Sequence, residues 1–68
     1  MDPKITTVKS GQDYRVRLGN QSYRFCLRAD GEMVQLYTPT ANLGGYYVSR
    51  FGGALTPAGI REFVASMG

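Results

Sequence analysis

The stretch YRVRLGNQSYRFCLRADGEMVQLY, residues 14–37, decides how this chain folds. It contains two turn signals, each flanked by runs that alternate apolar and polar residues. Leu18-Gly19-Asn20-Gln21 places Gly-Asn between the first two runs, a two-residue hairpin signal. Ala29-Asp30-Gly31-Glu32 places Asp-Gly between the second and third, which suits a type I′ turn. The two hairpins share one middle strand over residues 22–28.

The turns dictate a register. The first pairs Arg17 with Ser22, Val16 with Tyr23, Arg15 with Arg24 and Tyr14 with Phe25. The second pairs Arg28 with Met33, Leu27 with Val34, Cys26 with Gln35, Phe25 with Leu36 and Arg24 with Tyr37. Successive side chains in a strand point to opposite faces. Tyr14, Val16, Leu18, Tyr23, Phe25, Leu27, Val34 and Leu36 therefore share one apolar face. Asp13, Arg15, Arg17, Ser22, Arg24, Cys26, Arg28, Met33, Gln35 and Tyr37 share the other. A slip by one residue would scramble both sets, so two separate turns agreeing on one partition specify the pairing.

Outside this stretch, 4–9 (KITTVK) is rich in β-branched residues and reads as a short edge strand. Its flanking lysines discourage pairing with other chains. Residues 1–3 are expected to fray. Residues 38–45 read as a loop, with Pro39 holding Thr38 extended and Gly44-Gly45 loosening the far end. Residues 46–51 read as a further strand, closed by Gly52-Gly53. Its alternation sets Tyr46 and Val48 against Tyr47, Ser49 and Phe51, without deciding which set meets the core.

The C-terminus predicts a helix over 57–67. Thr56 is a suitable N-cap and Pro57 suits the first helical position. Leu55 and Ile60 bracket the cap as a hydrophobic staple. Ile60, Phe63, Val64 and Met67 form the apolar stripe, with Arg61, Glu62, Ala65 and Ser66 opposite. Gly59 weakens the first turn by about 1 kcal/mol relative to Ala. A helix this short must pack to persist, and the apolar sheet face is the natural place. The expected fold is α+β: an antiparallel meander of three to five strands, residues 12–38 forming its double hairpin, with one C-terminal helix on the apolar side.

The chain has 68 residues, which fits one domain spanning 1–68. A chain of this size buries only about 60% of its unfolded surface, so the core is thin and the protein is either a monomer or a homodimer. Its 43% hydrophobic content fits a folded chain. No apolar run reaches the length of a membrane span or a secretory leader. A single cysteine, Cys26, suits a reducing cytoplasmic setting.

Several chemistries lack their residues. The chain has no histidine and five acidic residues, so no metal cluster, cofactor site or activated nucleophile is visible. Asp30 and Glu32 flank a tight turn and read as solvated turn residues, not as an acid/base pair. Gly44-Gly45 and Gly52-Gly53 lack the lysine and the spacing of a phosphate-cradling loop. The sequence reads as a protein that is not an enzyme.

What it does carry is grouped positive charge. Between Asp13 and Arg28 the net charge is +3, equal to that of the whole chain. Arg15, Arg17, Arg24 and Arg28 share one face, and Arg15 opposes Arg24, where like charges repel. The plainer reading is a solvated outer surface whose arginine stems cover the sheet. The functional reading is a binding face of Arg15, Arg17, Arg24, Arg28 and Tyr37, with Gln35 and Met33 beside them and Tyr37 set to stack on Arg24. Tyr47, Arg50 and Phe51, next to Tyr46, form a second cluster that would extend it.

Arginine and tyrosine without lysine is the composition of protein interfaces more than of phosphate-tracking surfaces. The expected partner is therefore a larger protein or complex with an acidic surface. Small size without catalytic groups suits a phage- or mobile-element-type inhibitor of a host or defence complex, in the manner of anti-CRISPR proteins. One alternative is a structural subunit or small homodimer that covers the thin core. The alternative partner is nucleic acid. With Arg15-Val16-Arg17 and Tyr23-Arg24-Phe25 on strands backed by one helix, the architecture resembles the sheet-type DNA-binding domains of plant transcription factors and of integrase arm-binding modules. That resemblance implies arginines on strands reading bases in a major groove.

Overall fold

The structure is a computed structural model that describes the backbone of residues 3–67 and the side chains of residues 3–66. Met1 and Asp2 of the segment expected to fray lie outside the described residues, as does the Met67 side chain of the helical stripe.

Five strands, β1 (Lys4–Lys9), β2 (Asp13–Leu18), β3 (Gln21–Leu27), β4 (Met33–Tyr37) and β5 (Asn42–Tyr47), form one antiparallel sheet in the order β1-β2-β3-β4-β5. A short 3-10 helix, Val48–Phe51, and helix α1, Pro57–Met67, complete the chain. The β2–β3 and β3–β4 pairings have the register derived from the turns: Arg15 opposes Arg24, Phe25 opposes both Tyr14 and Leu36, and Cys26 opposes Gln35.

Both reversals are glycine-dependent, in different ways. Gly19 takes φ 61 while no non-glycine residue among those described has a positive φ, so the first turn follows the II′ pattern. The second is not the expected type I′ turn, because that would require positive φ at Asp30 as well as at Gly31. Instead the Gly31 N–H donates to the Arg28 carbonyl at 2.9 Å, and Gly31 alone takes φ 72. The Asp30 carboxylate accepts the Glu32 N–H at 3.0 Å, tying up the loop locally. A four-residue loop of this kind and a two-residue I′ turn within it leave the strands in the same register.

The strand expected at 46–51 begins earlier and ends earlier. β5 starts at Asn42, so part of the segment read as a loop pairs with β4. Gly44-Gly45 has little intrinsic strand preference, but the ladder to β4 supplies the hydrogen bonds that hold it. A bulge falls opposite Leu36 and Tyr37, where Gly44 takes φ 105. After Tyr47 the chain tightens into the 3-10 helix. This breaks the alternation and turns Phe51 into the core.

The core lies between the apolar sheet face and α1. Tyr14, Val16, Phe25, Val34 and Leu36 come from the sheet; Phe51, Leu55, Ile60, Phe63 and Val64 come from the C-terminal third. Its centre is aromatic. Phe25 meets Phe51 and Phe63 edge-on at 5.7 and 5.8 Å, and Phe51 stacks on Phe63 at 4.8 Å. Such pairs add about 0.5–1.5 kcal/mol each beyond the area they bury. Tyr46 meets Phe63 at 5.0 Å, which settles that Tyr46 faces the core and Tyr47 the other side.

Helix α1 starts where its residues say it should. The Thr56 hydroxyl accepts the Gly59 N–H at 3.1 Å, and the Thr56 carbonyl accepts the Ile60 N–H at 2.9 Å. Gly59 has a packing reason for being there. A Cβ at that position would stand 2.3 Å from the Phe51 carbonyl oxygen, so only glycine lets the first turn of α1 lie against the 3-10 helix.

Candidate functional site

The face of the sheet turned away from α1 carries the arginines. Cross-strand pairing arranges it in rows. One row runs Lys4, Arg17, Ser22 across β1, β2 and β3. The next runs Thr6, Arg15, Arg24, Tyr37 from β1 to β4. A third runs Asp13, Cys26, Gln35, Gly45 from β2 to β5, and Met33 opposes Tyr47 beyond it. Arg28 lies just past the end of β3, at the loop.

The arginines are not equivalent. Asp13 lies diagonally across from Arg24, within reach on the same face. It takes Arg24 in a two-point contact: Nε donates to Oδ1 at 3.1 Å and an Nη donates to Oδ2 at 2.7 Å. That hydrogen bonding, reinforced by the Asp13 charge, raises the Arg24 pKa above its ordinary value. The fork geometry favours this pairing over stacking, so the expected Arg24–Tyr37 stack does not form. The contact also relieves the repulsion between Arg15 and Arg24. Arg28 lies 3.6 Å from the Asp30 carboxylate, both largely exposed, and its guanidinium reaches the Met33 sulfur at 3.9 Å. An exposed pair of this kind contributes little.

Arg15 and Arg17 are left. Neither has a carboxylate partner among the described residues. The β1 register adds a third cation, Lys4, directly opposite Arg17. The face is therefore not free of lysine, as the hairpins alone implied. Lys4, Arg15 and Arg17 form a cationic corner over β1 and β2. They border a concavity of about 980 Å³ whose lining also includes Thr6, Ser22, Arg24, Cys26, Tyr37, Thr38 and Pro39.

Gln35 and Met33 lie on this face, half-buried, as expected, and Tyr47 joins them at the β5 edge with 66% of its surface exposed. Gly45 makes room there: a Cβ on it would stand 2.7 Å from the Met33 Cε. Two secondary candidates do not belong to the face. Phe51 is a core residue, 2% exposed. Arg50 lies over the Tyr46 ring at 5.7 Å, and Tyr46 packs towards α1 on the other side of the sheet.

The hairpin register could not reach Lys4, because strand β1 is bulged at Val8 in its pairing with β2 and no turn residue announces it. The signal that could have found Lys4 was the alternation Lys4, Thr6 against Ile5, Thr7 in the edge strand.

No protein-family model, curated protein or solved structure matches this chain.

Proposed function

We propose that this chain is a non-enzymatic binding module that holds nucleic acid on the open face of its sheet. The observation that carries this reading is the corner of Lys4, Arg15 and Arg17, three adjacent cations with no carboxylate partner among the described residues, beside a concave surface. Lysine as a point charge and arginine as a fork are both phosphate ligands. The Thr6 and Ser22 hydroxyls next to them on the same face are of the type that contacts phosphate oxygens.

Fluorescence anisotropy with labelled DNA and RNA oligonucleotides at low salt tests it. Binding is expected, weakening as salt rises because counterions are released from each neutralised phosphate. Arg17→Glu is expected to abolish it. Arg61→Glu, on the exposed side of α1, is expected to leave the face untouched. Absence of binding to single or double strands of either polymer at low salt refutes the reading.

A second reading has its own observation. At the other end of the face Tyr47 is exposed opposite Met33, with Arg28 against the Met33 sulfur. Tyr, Met and Arg are enriched in protein interfaces. This favours docking on a protein with an acidic patch, the inhibitor role expected from the sequence. A host protein captured by the parent and lost with Tyr47→Ala, in a chain that ignores nucleic acid, would support it.

A further inference from the structure

We infer that the nucleic acid held by this face is single-stranded, with its phosphates on Lys4, Arg15 and Arg17 and an unstacked base on Tyr37. The inference rests on the nucleic-acid reading and goes further by naming the strand state and two subsites.

Shape gives the first argument. A duplex is read through its major groove by an element that protrudes into it, whether a helix, a two-stranded ribbon or a sheet face. Here α1 lies on the opposite side of the sheet, among the core residues, and the cationic corner of the sheet face borders a concavity instead of protruding. A hollow takes a thin, flexible strand, and a charged groove with an aromatic wall is the general design for one.

The second argument is the state of Tyr37. It lines the hollow together with Pro39 and is half-buried. Among the described residues it has neither an aromatic neighbour nor a cation over it. The arginine opposite it is committed to Asp13. An unstacked aromatic ring in the wall of a charged hollow is what a splayed base needs.

The third is spacing. Same-face residues along a strand repeat every ~6.8 Å and neighbouring strands lie ~4.8 Å apart. Lys4 and Arg17 are direct partners and Arg15 is the next same-face residue on β2. The three cations can therefore serve neighbouring phosphates, while Asp13 withholds Arg24 from the count.

Three phosphate contacts give numbers. Single strands lose affinity with a log–log salt slope of about −0.7 per contact, so the slope is about −2.1 and affinity falls about 20-fold between ~50 and ~200 mM salt. Asp13→Asn frees Arg24 and is expected to steepen the slope to about −2.8. Tyr37→Leu is expected to weaken binding about 5- to 150-fold with the slope unchanged, and Tyr37→Phe to keep parental affinity.

The experiment titrates the full chain with a labelled oligothymidylate and with a duplex of the same length. Tighter binding of the single strand, with the variant pattern above, supports the inference. Equal or tighter binding of the duplex overturns it and leaves the nucleic-acid reading standing. No binding of either overturns both. Because Tyr37→Leu removes a half-buried side chain, a second measurement uses the parent protein: an oligonucleotide carrying 5-bromouracil, irradiated in the complex, is expected to place its adduct on Tyr37. Adducts found only elsewhere overturn the stacking subsite.

Discussion

Gly59→Ala is the substitution for which helix propensity and packing give opposite signs. In an exposed helix, alanine in place of glycine stabilises by about 1 kcal/mol. Gly59, however, lies in the first turn of α1 against the backbone of the 3-10 helix. The added Cβ would be 2.3 Å from the Phe51 carbonyl oxygen, 3.0 Å from its carbonyl carbon and 3.2 Å from its Cα. Non-bonded heavy atoms prefer about 3.5–4.0 Å, so α1 must withdraw by about 1 Å. All three opposing atoms are backbone, so no side chain can rotate out of the way. Withdrawal also loosens the Phe51–Phe63 stack at 4.8 Å and the Phe25–Phe63 contact at 5.8 Å.

Overpacking costs about 1–3 kcal/mol, and rigid opposition puts this site at the upper end. Subtracting the propensity gain leaves a net loss of about 2 kcal/mol. Against a total stability of roughly 3–10 kcal/mol for a chain of 68 residues, that is a large fraction. It corresponds to a melting temperature lower by about 8–16 °C at this size. Thermal unfolding followed by circular dichroism measures it. Ala65→Gly, on the exposed side of α1, is the control and is expected to lower the melting temperature by about 4–8 °C through propensity alone. If Gly59→Ala melts at or above the parent temperature, the start of α1 is not seated against Phe51 and the packing argument is wrong.

Two further outcomes follow from the same structure. Thr56→Ala removes the hydroxyl that accepts the Gly59 N–H and is expected to cost about 1 kcal/mol, with Thr56→Ser retaining most of it, by urea unfolding. Cys26 is half-buried within the lining of the concavity, so attaching a bulky maleimide is expected to abolish oligonucleotide binding while the melting temperature stays near that of the unlabelled chain. Fully labelled protein that binds like the parent would move the site off this face.

The residues of the double hairpin specify its register and the division of its side chains because the information is local. Gly19-Asn20 and Asp30-Gly31 each reverse the chain within a few residues, and alternation does the rest. The second loop shows how far this goes: its geometry differs from the expected type I′ turn, yet the pairing of Leu27 with Val34 is the same. Helix α1 was legible for the same reason, since the Thr56 cap, Pro57 and the Ile60-Phe63-Val64 stripe lie within one short segment.

Other features depend on partners far away in the chain. β5 exists because β4 holds Asn42, Gly44 and Gly45 in a ladder that their own preferences would not form. Phe51 left the surface because the 3-10 helix turned it towards Phe25 and Phe63. Lys4 reached the cationic corner through a bulged pairing, and Arg24 left it through Asp13, eleven positions away. Which side chains share a face is written into the local pattern of residues, because a strand's alternation needs only its neighbours. Which charges on that face remain unpaired was settled by folding, because an ion pair forms between whichever groups the assembled sheet brings within reach.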